Sequence, residues 1–336
     1  MNICFYSNEG IEKISKQQYS LQDINILTQL GHKVRIATRF SEVPWNSDLY
    51  FSWWASGSFI PLIKAFIRRK PIIIIAGGNE AMLYKDSLYG TPMGYLATSI
   101  YKKIATRISL KLASELLVVS DFMVDDVKRL SNRIPKVVYN SVNTNKFCIN
   151  KGVQKIYVTS VFNIEKGPFI TKRGETFLRS IPLVLERYPD QKFRVIGRAG
   201  DAMDQFIALV DELNIKQNIE IVSNIENDDM PFYFQQSKIY IQLSDTETFG
   251  LSVAEAMSCG IPVLVSKRGA LPELVGKDGF FVDHNDFNDV AEKIIQVLGI
   301  SEATLNSVGE KLSKRIYENF SYEVRLNKLK TILSTF

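Results

Sequence analysis

Histidine and cysteine are scarce in this 336-residue chain, which has two of the first and three of the second. Cys4, Cys148 and Cys259 are odd in number and far apart. They form neither a disulfide framework nor a metal-ligating cluster, and a reducing compartment is expected. With His32 and His284 alone, no histidine metal site is expected. Long apolar runs are also missing. The aliphatic stretches 72–75 and 116–119 fall far short of the roughly 20 residues that span a bilayer. Residues 1–7 are too short and too polar-ended for a signal peptide and read as a first strand. Internal repeats and low-complexity segments are absent, which removes repeat arrays from consideration.

What is present is globular in character, with 46% hydrophobic and 23% charged residues. The length suits two α/β domains. Charge is divided unevenly. Residues 1–150 hold 19 Lys+Arg against 11 Asp+Glu, a net of +8, and the remainder holds 22 against 25, a net of −3. A basic half often faces something anionic. Nucleic acid is not favoured, because the basic residues are not interleaved with aromatics in any recognised module. An anionic membrane surface or a lipid-phosphate acceptor fits better.

Strand-like runs recur at 2–6, 33–38, 71–76 and 115–119, and again at 155–161, 192–197, 218–222, 238–243 and 261–265, with amphipathic stretches between. Such alternation predicts parallel sheets of βαβ units. Gly31 reads as a helix stop feeding the second strand, and 135–147 reads as the domain junction. Ligands are then expected at the carboxyl ends of the strands.

The most informative segment is 244–276. Glu247 and Glu255 bracket Gly250, which opens a short helix, and a buried strand and a second polar turn around Gly269–Glu273 follow. N–H groups at a helix start attract anions, whereas carboxylates suit sugar hydroxyls. Together they suit a nucleotide-sugar. Glu255 by itself also reads as a solvated helix acid, and Glu247 as a loop acid or cap.

This segment resembles the donor-site signature of retaining GT-B glycosyltransferases, especially glycosyltransferase family 4, with Glu247 and Glu255 matching that family's Glu-x7-Glu pair. The resemblance extends to 113–120, to the linker Val138-Tyr-Asn-Ser-Val-Asn-Thr-Asn-Lys-Phe147, and to Phe320-Ser-Tyr-Glu323. It implies an α/β GT-B fold, two Rossmann-like domains facing a cleft. The expected boundaries are 1–147 for the acceptor domain, 148–317 for the nucleotide-sugar domain, and 318–336 for a helix returning to the first.

The resemblance also implies roles. Glu255 takes the ribose hydroxyls and Glu247 the transferred sugar. The backbone of Thr248, Phe249, Gly250 and Leu251 donates to charge on the leaving group, with Gly250 allowing close approach. The family's usual phosphate-binding arginine is missing after Thr159–Asn163, so Lys172 and Arg173 are the expected clamp, with Lys166 in reserve. Adjacent residues on a regular element do not both point inward, so one of the pair is expected to be a bystander. Gly197 and Arg198 look like the family's turn near the nucleotide, and Gly10 like its glycine loop. The usual histidine is missing from the first domain, and Asn79 or Glu80 is the candidate to hold a sugar or acceptor hydroxyl.

Two basic amphipathic stretches complete the reading. Residues 59–70 carry Lys64, Arg68, Arg69 and Lys70, and 94–113 carries Lys102 beside a stripe of Lys103, Arg107 and Lys111. They read either as ordinary core-packed helices or as an interfacial surface. The implied protein is a metal-independent, cofactor-free retaining glycosyltransferase, cytoplasmic and peripheral on the inner membrane face. It takes an NDP-sugar, preferentially a UDP-sugar, to a glycan or lipid-linked acceptor in polysaccharide or glycoconjugate biosynthesis, with no nucleic-acid partner. The alternatives are a nucleotide-sugar epimerase, a phosphorylase-like enzyme, or a catalytically silent nucleotide-sugar-binding subunit.

Overall fold

The computed structural model describes residues 1–84 and 94–336. The chain forms two compact units, Met1–Ser141 with Tyr322–Phe336, and Val142–Ser321.

In the first unit, β1 (Asn2–Tyr6), α1 (Ile11–Ile14), α2 (Gln18–Gln29), β2 (Lys33–Ala37), β3 (Leu49–Trp53), α3 (Phe59–Arg68), β4 (Ile72–Ala76), α4 (Ile100–Leu112), β5 (Glu115–Val118), α5 (Val124–Ser131) and β6 (Lys136–Val137) follow in order. The described strands pair in parallel in the order β2-β1-β3-β4-β5-β6. All five residues of β4, Ile-Ile-Ile-Ile-Ala, are buried, as a strand covered on both faces requires. β3 lies outside the strands expected from aliphatic runs. Its Leu-Tyr-Phe-Ser-Trp sequence is wholly buried between β1 and β4, so aromatic rings fill the sheet centre instead of Ile and Val.

The second unit contains β7 (Tyr157–Val161), α6 (Lys166–Thr171), α7 (Gly174–Arg187), β8 (Lys192–Ile196), α8 (Met203–Glu212), β9 (Ile219–Val222), α9 (Met230–Gln235), β10 (Ser237–Gln242), α10 (Leu251–Ser258), β11 (Val263–Ser266), α11 (Leu271–Val275), β12 (Phe280–Val282), α12 (Phe287–Leu298) and α13 (Glu302–Phe320). Its parallel order is β12-β11-β10-β7-β8-β9. Phe162, Phe169, Phe177, Phe193 and Phe206 are buried in one core. Each such ring stabilises by about 1.5–3 kcal/mol relative to exposure.

The last helix, α14 (Tyr322–Leu333), belongs to the first unit. Its Arg325 donates from Nε and Nη2 to the two oxygens of Asp23, at 2.6 and 2.8 Å, and from Nη1 to Val138 O at 2.9 Å. Both charges are buried. The fork geometry of arginine satisfies the carboxylate on both oxygens, which is what allows the pair to be buried.

In a doubly wound sheet the loops at the carboxyl ends of the strands diverge where the strand order reverses, leaving a crevice. In the second unit that reversal lies between β7 and β10, and in the first between β1 and β3.

Candidate active site

In the second unit the β7 loop carries Lys172 and Arg173, and the β10 loop carries Asp245 and Glu247. Asp245 N donates to Thr171 O at 2.9 Å, which ties the two loops together. The Lys172 ammonium contacts Glu247 Oε1, and Arg173 Nε donates to Asp245 Oδ1 at 2.7 Å. Both side chains therefore reach the β10 loop, which adjacent residues on a regular element would not do. Lys172 caps the end of α6, and Arg173 takes the left-handed conformation (φ 55°) before α7. The break in regularity turns both side chains toward the acidic loop. A non-glycine residue in that conformation costs about 1–2 kcal/mol, which the buried Asp245 contact offsets.

Glu247 is held from several directions. Ser244 Oγ donates to its Oε1 at 3.0 Å, and Gln242 Nε2 donates to Ser244 Oγ at 2.6 Å. The Tyr240 hydroxyl lies 2.6 Å from Gln242 Oε1 and 2.9 Å from Ser252 Oγ in the first turn of α10. The backbone is fixed as well, since Ala270 N donates to Glu247 O at 2.8 Å. Gly269 (φ 59°) is required there, because a Cβ would lie 2.2 Å from Glu247 O. His284, in the loop after β12, is buried with Nε2 3.0 Å from Asp245 Oδ1.

Gly250 precedes α10 with φ 95°, a conformation that suits glycine. The first N–H groups of a helix have no intrahelical acceptor and remain available to a ligand. Thr248 is partly buried, and Leu251 opens the helix. The Phe249 ring packs against Phe320 with centroids 5.8 Å apart, so its side chain is structural. Glu255 is 7% exposed. Among the described residues none makes a hydrogen bond to its carboxyl group. Burial pushes its pKa up to about 8, against a weaker opposing pull from Lys146.

Gly197 follows β8 where a Cβ would lie 1.9 Å from Phe162 O. Close packing of two backbone segments explains this glycine. Arg198 is 67% exposed and its guanidinium lies 3.5 Å from Glu165, so no described contact draws it toward Glu247 or Glu255. Lys166 is exposed at the start of α6.

In the first unit, residues after β1, β3 and β4 meet. Glu9 Oε2 accepts from Trp54 Nε1 at 2.8 Å and from the Tyr19 hydroxyl at 3.1 Å. Trp54 is left-handed at φ 70°, which is unusual for a bulky residue and frequent at functional sites. Glu80 Oε1 accepts from Ala55 N at 3.3 Å, and burial raises its carboxyl to about 7. Asn79 is exposed and its Oδ1 accepts from the Tyr84 hydroxyl at 2.7 Å. Gly10 borders a recess of about 750 Å³ that Asn8, Ile11 and Arg39 also line. A Cβ at Gly10 would meet nothing within 4 Å.

The two amphipathic stretches form α3 and α4, which pack side by side. Phe66 (75% exposed), Ile67, Ile100, Tyr101 (81%) and Ile104 lie on the surface with Arg68, Arg69, Lys102 and Arg107. Lys64 does not belong to that surface. It is buried, donating to Phe40 O at 2.9 Å and Val43 O at 2.6 Å beneath the Phe40 and Trp45 rings.

Two parallel six-stranded α/β units are the architecture of the GT-B glycosyltransferases. The crystal structure of Anabaena Alr3699/HepE in complex with UDP and glucose matches over all of both chains, with TM-score 0.79 at 16% identity. A sucrose-phosphate synthase from Thermosynechococcus elongatus matches with TM-score 0.79 at 15% identity, over all of this chain and 98% of its own. The family model for glycosyl transferases group 1 matches residues 142–318, and the chain belongs to that family. It is 23% identical to N-acetyl-alpha-D-glucosaminyl L-malate synthase of Bacillus anthracis, over 97% of this chain and 84% of that protein. It is 25% identical to O-antigen chain mannosyltransferase B of Escherichia coli, over 70% and 74% respectively.

Sequence reasoning did not single out Asp245, His284, Ser244 or Gln242. Asp245 lies within the quoted motif, but its partners come from 72 and 39 residues away. The alternation of Tyr240 and Gln242 along β10, continued by Ser244 just after it, was the available signal, because polar side chains on a buried strand need partners.

Proposed function

We propose that this glycosyltransferase transfers a hexosyl group from a UDP-sugar to a hydroxyl of a glycan or lipid-linked acceptor, with retention of configuration. The convergence of Lys172, Arg173 and Glu247 at the strand-order reversal of the second unit carries this reading. Cations and carboxylates there are paired with each other in the free protein. An incoming diphosphate takes over Lys172 and Arg173, and the released Glu247 carboxylate then accepts hydrogen bonds from the sugar. Glu255, unpartnered and desolvated one turn into α10, receives the ribose hydroxyls. The likeness to HepE, whose structure holds UDP and glucose, supports a uridine donor.

In the reaction, the acceptor oxygen forms a bond to the anomeric carbon as the bond from that carbon to the diphosphate breaks. The electron pair leaves with the diphosphate, which also takes the acceptor proton. Lys172, Arg173 and the α10 N–H groups stabilise that charge where it develops. Because cations of the chain fulfil this role, the proposed mechanism needs no metal. Tyr240, Gln242 and Ser244 keep Glu247 oriented.

The acceptor falls to the first unit in this reading, where Trp54, Glu9 and Glu80 combine an aromatic face with carboxylates, as sugar recognition requires. The exposed apolar and cationic faces of α3 and α4 suit an anionic bilayer, at about 1 kcal/mol for each surface cation. Among the described residues no helix is long and apolar enough to cross a membrane.

The test is release of nucleoside diphosphate from UDP-glucose, UDP-N-acetylglucosamine and GDP-mannose, with and without a membrane extract as acceptor. UDP release that rises with extract is expected. Binding without turnover would instead assign a silent nucleotide-sugar-binding subunit. Flotation with phosphatidylglycerol but not phosphatidylcholine vesicles tests the surface of α3 and α4.

A further inference from the structure

The second unit has a cavity of about 740 Å³ at the amino ends of its strands, the opposite edge of the sheet from Lys172 and Glu247. Its wall includes the linker 149–155, the start of α13 and the Cys259–Gly260 turn that ends α10. Two lysines reach it with no carboxylate among the described residues in contact with either ammonium. Lys155 Nζ donates to Asn306 Oδ1 at 2.9 Å, and Lys238 Nζ to Gln191 Oε1 at 3.2 Å. Both side chains are partly buried, and among the described residues no carboxylate lies within 4.0 Å of either ammonium.

The remaining cavity charges are Lys151, paired with Glu310 at 3.1 Å, and Glu302, which interacts with Lys155 only at longer range. Burial lowers the Lys155 pKa and outweighs the opposing pull of Glu302, as expected for an ammonium deprived of water with only a neutral amide in contact. Gln191 is itself anchored, since its Nε2 donates to Ile156 O at 2.8 Å and Lys192 O at 2.6 Å. Lys238 is therefore held in place by a fixed acceptor.

A partly buried cation without an anion is costly, and an anionic ligand would remove that cost. Asn150, Gln154, Tyr188, Gln235 and Asn306 also line the space. Lysines suit a phosphate, and amides and phenols suit hydroxyl groups.

We propose that this cavity is a second small-molecule site, separate from the donor site, which binds a sugar phosphate through Lys155 and Lys238. The volume suits a molecule of that size, since ligand pockets run from about 300 to 1,000 Å³. The cavity shares α10 with the donor site. Its far end meets the cavity, and its middle carries Glu255.

The experiment is a thermal-shift titration of the whole protein with glucose 6-phosphate, free glucose and inorganic phosphate. A ligand that binds only the native form raises the transition, by an amount that grows with the logarithm of one plus the ratio of ligand concentration to Kd. Glucose 6-phosphate is expected to give the largest shift, glucose none, and phosphate a small one. In Lys155→Gln/Lys238→Gln, which removes the charge and keeps a polar side chain, the apparent Kd is expected to rise about tenfold or more. The melting temperature without ligand should not fall, because two partly buried charges are removed, and the response to UDP should stay unchanged, which separates loss of this site from loss of the fold or of the donor site. The proposal is overturned if the response is equal in both proteins, or if Lys172→Ala/Arg173→Ala removes it instead. It is also overturned if none appears at about 10 mM, where even a binder of about 1 mM affinity is largely occupied.

Discussion

Replacing Glu255 by glutamine preserves the side-chain shape and removes its titration, and the consequence can be worked out from burial. Burial moves the native carboxyl from 4.5 to about 8, whereas the unfolded chain keeps the ordinary value. Between those pH values the native state retains a proton that the unfolded state has lost. Stability from this difference is full below the unfolded pKa, declines as pH rises toward about 8, and levels off above it. The span at about 1.4 kcal/mol per pH unit sets a ceiling of about 5 kcal/mol. Water entry and local relaxation on ionisation reduce this to about 2–3 kcal/mol.

Urea and thermal unfolding of the ligand-free protein from about pH 5 to pH 9 supply the measurement. Wild type and Glu255→Gln should coincide at the acid end. At the alkaline end the variant should be the more stable, with a transition about 4–10 °C higher. Glu80, raised to about 7, bends both curves alike and cancels in their difference. In the proposed mechanism UDP binding requires the ionised form, so binding releases a proton near neutral pH, and the variant binds UDP weakly. Parallel stability curves, or a gap that is widest in acid, would refute the reasoning.

Three further outcomes are expected. Lys172→Ala/Arg173→Ala should abolish both the UDP-induced thermal shift and nucleoside diphosphate release, read by a coupled assay. Gly269→Ala places a Cβ against the Glu247 backbone in a left-handed turn. It should cost about 1–2 kcal/mol from the conformation alone and lower turnover more than UDP affinity, measured by steady-state kinetics beside denaturation. Arg325→Ala leaves Asp23 buried and uncompensated and should destabilise by about 3–5 kcal/mol. Arg325→Met with Asp23→Leu should cost less, as urea midpoints will report.

The parallel α/β architecture was legible because buried parallel strands read as aliphatic runs, as in β4 and β5. β3 escaped because Tyr50, Phe51 and Trp53 fill the sheet centre with aromatic rings. Lys172 and Arg173 read together as one cationic pair near the acidic motif, with one of the two expected to face away. That both reach the β10 loop follows from the left-handed conformation of Arg173, which depends on how α6 meets α7. Lys64 read as one more surface cation, and only the Phe40–Trp45 loop folded over it reveals a buried ammonium satisfied by two carbonyl groups.

Alone, the sequence determined the class of fold, the family, and which segments carry acids, cations and glycines. Periodicity and motif spacing are local properties, and burial of apolar runs follows from them. The tertiary structure decided which charge meets which, that Asp245 is shared by Arg173 and His284, and that Glu255 lies in a dry, unpartnered position. These depend on loops brought together at the strand-order reversal, and on desolvation, which is a property of the surroundings and not of the residue.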